Sequence, residues 1–198
     1  MAHAATVYRC LIICPSDVEA EKQAIIGVLN HWNARIGDAL GVQVQPVHWG
    51  YATPEMSGPA QSIINKQIVE NCDLGIAIFW SRLGTKTREH ESASVEEIRL
   101  LQQRGCRVAV YFNEAAVPQS SLKDDQYYRL QEQRRVFEKE GLLSKFTSIE
   151  QLCRIVTLDV TESLVHLARR DGSATHIEAR ADDPSSPEVG RIWLRTDL

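Results

Sequence analysis

Apolar residues along the chain fall into short unbroken runs, separated by segments with a helical repeat. The run from Leu74 to Trp80 shows no alternation of polar and apolar positions, which is typical of a strand buried on both faces of a parallel sheet. Runs of similar length predict four further strands. In chain order, the five predicted strands are Val7–Cys14, Val42–Gly50, Leu74–Trp80, Arg107–Phe112 and a short Leu142–Phe146.

The segments between the strands carry apolar residues three and four positions apart, which predicts amphipathic helices. Three of these helices are expected to begin at capping boxes, in which a hydroxyl precedes a carboxylate or amide by three positions. The boxes are Ser16–Glu19, Ser94–Glu97 and Ser148–Gln151. The predicted helices run from Val18 to Ile36, from Pro59 to Val69, from Val95 to Arg104, from Gln126 to Glu140 and from Ser148 to about Arg170.

Strands that alternate with helices predict an α/β fold with a parallel sheet, right-handed crossovers and helices on both faces. Five strands fit the flavodoxin-like order 2-1-3-4-5. That order places the second strand at an edge, as Pro46 requires, because proline cannot donate to a neighbouring strand. We expect one domain over residues 1–170. Residues 171–198 are expected to form a linker, with residues 179–187 its clearest part by composition, and a tail that could hold a small strand or begin a further segment.

Composition and charge narrow the class of partner. The 198 residues carry a net charge of −4 and a pI near 5.9, which gives no electrostatic reason to expect nucleic acid or an anionic membrane as partner. No apolar run approaches the roughly 20 residues that span a bilayer, and no signal peptide is recognisable, so we expect a cytoplasmic protein. The five cysteines are scattered and odd in number, which indicates buried thiols rather than disulfides or metal ligands.

Candidate chemistry concentrates where the predicted strands end, because ligands of doubly wound folds bind at the carboxyl ends of the strands. Glu97 opens the helix after the central strand and is the leading candidate, although it also completes a capping box with Ser94. Ser16 and Asp17 lie at the first strand–helix turn, where helix N–H groups favour a phosphate. Three aromatic residues near strand ends could stack on a base: Trp49, Tyr51 and Trp80.

Three segments together resemble the domain-of-unknown-function 4062 family: Ile13–Lys22 (ICPSDVEAEK), Ile64–Thr85 and Ser92–Ile98 (SASVEEI). The resemblance covers roughly Thr6 to Ala168, and the family's S-P-S-D-V start appears here as C-P-S-D-V. It implies a flavodoxin-like, TIR-like fold related to nucleoside 2-deoxyribosyltransferases, often found at the N terminus of larger bacterial NTPase proteins.

The resemblance also implies a candidate chemistry. Related enzymes cleave an N-glycosidic bond in NAD or a nucleoside with one glutamate after the third strand. The transferase motif D-S-G-T-x-x-E aligns with Glu91–Glu97, so Glu97 takes the glutamate position and Glu91 the aspartate position. Ser92 and Ser94 become candidate substrate contacts, and Ala93 replaces the glycine.

Those transferases keep an aspartate just beyond the third strand, where this chain has Trp80 and Ser81. That difference argues against deoxyribosyl transfer and leaves glycohydrolase chemistry open. In such a reaction Glu97 would stabilise an oxocarbenium-like state, and Glu91 or Glu96 would activate water. Ser81 lies near the position of that aspartate and is a candidate substrate contact.

Two hypotheses follow. The first is an N-glycosidase that hydrolyses NAD or a related nucleotide or nucleoside, needs no cofactor or metal, and serves bacterial anti-phage defence within a homo-oligomer or larger assembly. The alternative is a non-catalytic TIR-like module for protein–protein interaction. An open pocket beside Glu97, lined by Ser16 and an aromatic residue, would favour the enzyme. A Glu97 side chain turned back onto the Ser94 amide would favour the module. A flavodoxin-type FMN or phosphoacceptor domain is a weaker third possibility.

Overall fold

A computed structural model describes residues 5–87, 90–171, 177–180 and 192–195 of the chain. Five strands form one parallel sheet in the order β2-β1-β3-β4-β5, which confirms the predicted flavodoxin-like topology. The strands are β1 (Thr6–Ile13), β2 (Val42–Val47), β3 (Leu74–Phe79), β4 (Arg107–Asn113) and β5 (Ser144–Phe146).

The central strand β3 is buried along its whole length, as its unbroken apolar run predicts. It pairs with β1 from Cys10↔Leu74 onward and with β4 from Leu74↔Arg107 onward. Alternate β3 side chains enter two different cores: Ile76 faces one side of the sheet and Phe79 faces the other. Strand β2 lies at the edge, as expected from Pro46.

Helices cover both faces of the sheet. They are α1 (Glu19–Trp32), α2 (Asp38–Leu40), α3 (Ala60–Gln67), α4 (Ala93–Gln103), α5 (Asp125–Glu140) and α6 (Ile149–Arg170). Apolar residues of α1 and α6 fill the core on one face, and those of α4 and α5 fill the core on the other. On the first face, the Trp32 indole N–H donates to Thr161 Oγ1 at 2.9 Å, which ties α1 to α6.

Two of the three predicted capping boxes are wrong. Helix α1 begins at Glu19 after Val18 and has no side-chain cap. Helix α4 is capped by Ser92, whose Oγ accepts from the Val95 amide at 3.1 Å, and not by Ser94. The third prediction is confirmed, because Ser148 Oγ accepts from the Gln151 amide at 3.2 Å.

Two strand ends also differ from the prediction. Strand β2 stops at Val47, and the chain then makes a single 3-10 turn at Trp49–Tyr51 instead of continuing in the strand. Strand β5 contains only Ser144–Phe146 and therefore pairs with the last three residues of β4. No described strand pairs with residues 107–110 on that side of β4, and a cavity of about 360 Å³ opens there.

Near the C terminus, Ile177–Arg180 (β6) and Ile192–Arg195 (β7) form a two-stranded parallel sheet. The first two residues of the linker expected over 179–187 therefore belong to β6, and the other seven lie outside the described residues. No helix within the described part of the chain is long and apolar enough to cross a membrane.

A turn of π-helix at Asn33–Gly37 joins α1 to α2, and its last residue, Gly37, packs closely against β2 and the Trp32 ring. A Cβ at this position would contact the Val42 carbonyl oxygen and approach the Trp32 ring to 3.0 Å. We therefore expect Gly37→Ala to lower the free energy of unfolding by about 1 to 3 kcal/mol, measured by urea denaturation.

The matched control is Gly27→Ala, because Gly27 lies within α1 and a Cβ there meets nothing within 4 Å. Helix propensity should make this variant more stable than the wild type by about 0.5 to 1 kcal/mol. Equal stability changes in the two variants would contradict the close packing described at Gly37.

Candidate active site

A cavity of about 220 Å³ lies at the carboxyl ends of β1 and β3, against α3 and α4. Four of the residues predicted from the sequence line it: Ser16, Trp49, Ser94 and Glu97. The other lining residues are Ile12, Cys14, Pro15, Gln61, Ile64, Arg82, Gly84, Thr85 and Ala93. The position agrees with the general rule that ligands of doubly wound folds bind at a topological switch point.

Helix α4 positions Glu97. With Ser92 as N-cap, Glu97 is the fifth helical residue, two positions beyond Val95, whose amide donates to the cap. The side chains of Val95 and Ile98 are buried against the sheet, and Glu97, between them in sequence, faces the cavity. The predicted contact of Glu97 with the Ser94 cap is therefore wrong.

The loop after β3 packs closely on the first turn of α4. Gly84 has a φ of +104°, and a Cβ there would lie 3.3 Å from Ser94 Oγ. Only glycine adopts that conformation readily. A glycine at position 84 therefore lets the loop that forms this cavity wall pack directly against α4. Ser94 is itself buried, with its hydroxyl side facing this wall, and Ser92 is fully buried as the cap.

The Glu97 carboxyl group is half-buried in a setting with little compensation for its charge. Burial raises its pKa from the usual 4.5 to about 7; the hydrogen bond from Gln61 opposes this rise, and the nearby Glu96 adds to it. Gln61 Nε2 donates to Glu97 Oε1 at 3.3 Å. A carboxyl group that titrates near neutrality inside a cavity is a candidate for proton transfer or for charge stabilisation.

Amide side chains of α3 link Glu97 to Glu96. Gln61 Nε2 also donates to Asn65 Oδ1 at 2.9 Å, and Asn65 Nδ2 donates to Glu96 Oε1 at 2.6 Å. Asn65 is buried, so this chain of hydrogen bonds fixes the orientation of Gln61 beside the cavity. Glu96 accepts this hydrogen bond from Asn65 and does not line the cavity.

Cys14 lines the same cavity as Glu97, and its environment disfavours the thiolate. Burial raises the thiol pKa to about 11; Lys22 lowers it, while Glu19 and Glu97 raise it further. A thiol with this pKa is neutral at physiological pH and a poor nucleophile. Cys14 therefore serves as an apolar part of the cavity wall.

Asp17 and Ser81, both predicted to contact substrate, contact each other instead. Asp17 Oδ2 accepts from the Ser81 amide and from the Ser81 hydroxyl, both at 2.9 Å. This pair ties the turn after β1 to the end of β3, and neither residue lines the cavity. Their neighbours Ser16 and Arg82 do line it, so the pair positions the cavity wall.

The three candidate aromatic residues lie in different places. Trp49 lines the cavity with 61% of its surface exposed, so its indole is free to contact a ligand. Tyr51 lies outside the cavity and packs on His48, with ring centroids 4.6 Å apart. Trp80 also lies outside, packs against the sheet and donates from Nε1 to the Ala115 carbonyl at 3.1 Å.

Glu91 is exposed and does not line the cavity. Its carboxylate pairs with Lys86 at 3.5 Å and with Arg129 Nε at 3.4 Å, and its backbone carbonyl also accepts from Arg129. These contacts attach the loop before α4 to α5. The structure therefore places Glu91 away from Glu97 and among basic side chains.

Gln61 and Arg82 are cavity residues that the sequence-based analysis missed. Gln61 lies three residues before Ile64, on the same face of a helix whose apolar positions predict only packing, so no motif marks it as a cavity residue. Arg82 directly follows the predicted pair of Trp80 and Ser81, so its position just beyond a central strand was a usable signal.

Among the residues that the structure describes, no group of three or more His, Cys, Asp or Glu side chains could hold a metal ion. The larger cavity beside β4 lies near the amino ends of β3 and β4 and contains the Tyr111–Asp159 hydrogen bond of 2.5 Å. We assign the candidate active site to the smaller cavity, because it lies at the carboxyl ends and contains the titratable Glu97.

The model of the family described as "Domain of unknown function (DUF4062)" matches residues 15–161. No protein with a curated description matches the chain. Similar solved structures include apo translation elongation factor SelB from Methanococcus maripaludis, with 12% identity and a TM-score of 0.43 over 81% of this chain. Oxidised flavodoxin 1 from Bacillus cereus has 12% identity and a TM-score of 0.39 over 79% of this chain and 98% of its own.

The flavodiiron protein from Giardia intestinalis has 8% identity and a TM-score of 0.41 over 87% of this chain. The chain spans 35% of the SelB length and 39% of the flavodiiron protein length. None of these likenesses bears on activity.

The raised pKa of Glu97 predicts a pH-dependent stability cost. In the unfolded chain the carboxyl group ionises near pH 4.5, whereas in the folded protein it ionises near pH 7. The cost of the buried charge is therefore absent below pH 4.5 and complete above pH 7. We expect Glu97→Gln, which keeps an acceptor for Gln61, to be more stable than the wild type by roughly 1 to 3 kcal/mol at pH 8.

Urea denaturation at a series of pH values measures this difference, which should shrink as the pH falls from 7 toward 4.5. Glu70→Gln, at an exposed position before β3, is the control and should show no such trend. A Glu97→Gln variant that is less stable than the wild type at pH 8 would contradict the unfavourable burial of Glu97.

Proposed function

The chain belongs to the DUF4062 family, a domain of unknown function, and we propose that it is an N-glycosidase acting on the ribosyl C1′–N bond of NAD or a related nucleotide or nucleoside. The observation that carries the proposal is the half-buried Glu97, with a pKa of about 7, inside a cavity that an exposed indole also lines. Ser16 lines the same cavity, so it contains the combination that the sequence-based hypothesis required of an enzyme.

The cavity suits a ribosyl group with a planar base. Glu97 and the exposed Ser16 provide polar contacts for sugar hydroxyls, and Trp49 provides a surface on which a base can stack. Cleavage begins when the C1′–N bond breaks and the base leaves with the bonding electron pair. In NAD the departing nicotinamide is neutral, so no strong general acid is needed, and the ribosyl group carries the positive charge.

Glu97 acts on that charge. Its carboxylate lies in a setting with few competing dipoles, where stabilisation of an oxocarbenium-like sugar is stronger than in water. Water then adds to C1′ and gives up a proton, which Glu97 accepts and later releases to solvent. For NAD the products are therefore nicotinamide, the ribosyl compound with a new hydroxyl at C1′, and one proton; a nucleoside or nucleotide with a neutral base yields no net proton, because its departing base takes one up.

Glu97 both stabilises the positive charge and accepts the proton from water, because the other candidate bases make contacts outside the cavity. Glu91 pairs with Lys86 and Arg129 outside the cavity, and Glu96 accepts from Asn65. Gln61 holds one oxygen of Glu97 and leaves the other available to the sugar or to water. We assign Gln61 a positioning role.

The biological part of the proposal comes from the family resemblance. A cytoplasmic NAD-cleaving effector in bacterial anti-phage defence would be toxic, so its activity would be held off until a homo-oligomer or larger assembly forms. The protein in this proposal uses no resident cofactor and needs neither nucleic acid nor membrane.

The second candidate is a non-catalytic TIR-like interaction module. A surface groove of about 410 Å³ between α1 and α6, lined mainly by apolar and small side chains such as Ala24, Val28 and Cys153, favours it. The two candidates use different surfaces, and an assay of the active site separates them.

The direct test of the enzyme is incubation with NAD, NADP, ATP and deoxynucleosides, followed by chromatography of the released base. We expect the wild type to release base from at least one of them and Glu97→Gln to be at least about 100-fold slower, because the charge on Glu97 is lost. Glu70→Gln is the matched control and should keep the wild-type rate.

The assay is run on the dilute protein and on a concentrated or crowded sample, since assembly is the expected trigger. Equal release by the wild type and Glu97→Gln would remove Glu97 from the mechanism. No release from either sample would overturn the enzyme and favour the interaction module.

The pKa of Glu97 also predicts the pH profile of the reaction. Because the carboxylate is the active form, kcat/KM should rise about tenfold per pH unit below pH 7 and level off above it. Steady-state kinetics between pH 5 and 9 provide the measurement. A rate that falls as the pH rises through 7 would show that the protonated form of Glu97 is the active one.

A further inference from the structure

The size of the cavity limits what it can enclose. Its volume of about 220 Å³ is below the roughly 300 to 1,000 Å³ that is usual for pockets that enclose a drug-sized ligand. It therefore accommodates one base with its sugar, and any group beyond the sugar must lie at the mouth. The chemistry of the side chains at the mouth then determines which substrates fit.

Arg82 is the basic side chain that lines this cavity, and it is exposed to solvent. Its guanidinium group makes no hydrogen bond or ion pair with any described residue. The basic groups nearby are engaged, since Lys86 and Arg129 both pair with Glu91. Arg82 thus offers five unused N–H donors and a full positive charge at the cavity.

The backbone that carries Arg82 is fixed on both sides. On one side, Ser81 donates two hydrogen bonds to Asp17. On the other side, the amides of Leu83 and Gly84 donate to Gln126 Oε1 at 3.2 and 2.9 Å. Leu83 is fully buried. The backbone that carries Arg82 is thus preorganised, so binding a ligand through this residue costs little further ordering of the loop.

We infer that Arg82 binds a phosphate attached to the sugar, so that the substrate is a nucleotide rather than a nucleoside. This inference rests on the proposed N-glycosidase function and narrows its substrate class. The planar guanidinium group suits two-pronged hydrogen bonding to phosphate oxygens. It also offsets the repulsion between a phosphate and the negative charge that Glu97 carries when ionised.

The test compares ligands that differ only in the phosphate: nicotinamide mononucleotide with nicotinamide riboside, and AMP with adenosine. Calorimetric titration uses Glu97→Gln, so that binding is measured without turnover. We expect each nucleotide to bind at least about tenfold more tightly than its nucleoside, because a charge-assisted hydrogen bond between arginine and phosphate contributes at least that factor to affinity. In Glu97→Gln with Arg82→Gln, this preference should fall to within about twofold, while the nucleoside affinities stay unchanged.

The matched control combines Glu97→Gln with Arg154→Gln, because Arg154 is an exposed arginine on α6 that does not line the cavity. This variant should keep the full preference for the nucleotide. Arg82→Lys separates charge from geometry and should retain only part of the preference, since a lysine cannot form the two-pronged contact. Thermal denaturation of each variant confirms that it is folded.

The outcomes distinguish this inference from the proposed function. A preference that survives Arg82→Gln, equal binding of nucleotide and nucleoside, or no binding of either would overturn the role of Arg82. Base release by the wild type would still support the N-glycosidase in each of these cases. An Arg82-dependent preference without base release under any condition would support the phosphate site and overturn the N-glycosidase.

Discussion

The pairing of β1 with β3 is the constraint on which the candidate site depends. The connection after β1 leads to α1 on one face of the sheet, and the connection after β3 leads to α4 on the other. Two chain segments that leave neighbouring strands in opposite directions must part, and a crevice opens between them. The hydrogen bonds from Ser81 to Asp17 limit this separation. They hold Ser16 and Arg82, the next residues on either side, at the cavity wall.

The crevice contains the carboxyl group of Glu97, whose negative charge does not contribute to the stability of the fold. Glu97 loses hydration on burial, and the hydrogen bond it accepts from Gln61 offsets only part of that loss, so its pKa is raised. A glutamine at position 97 could accept the same bond without the cost of a buried charge. Residues that reduce stability without providing an irreplaceable contact are concentrated at functional sites, where the chemistry requires them.

Much of the fold follows from the sequence because a few local features leave little choice. The unbroken run of β3 requires burial on both faces, and Pro46 places β2 at an edge. The start of α4 is harder to predict from the sequence, because Ser92 and Ser94 both offer a capping hydroxyl and only Ser94 has a carboxylate three residues later. The buried face formed by Val95 and Ile98 sets the rotation of the helix, and Ser92 then provides the cap.

The candidate site is harder to predict from the sequence, because its lining depends on the paths that the loops take after the strands end. Trp49 and Trp80 both follow strand ends, yet only Trp49 reaches the cavity. The indole N–H of Trp80 is used by the Ala115 carbonyl, a contact between segments 35 residues apart that no local pattern encodes. Gln61 likewise meets Glu97 only through the packing of α3 on α4.

Fold class alone does not decide between an enzyme and an interaction module, since the same α/β architecture serves both. The distinction lies in the kind of surface that each function requires. A docking surface gains from exposed apolar area, as in the groove between α1 and α6, and has no use for a carboxyl group withdrawn into a concave cavity. Catalysis on a developing positive charge requires such a group, held by a neighbouring amide and shielded from water. The arrangement of Glu97 and Gln61 is therefore the feature of this end of the sheet that supports the proposed enzyme over the module.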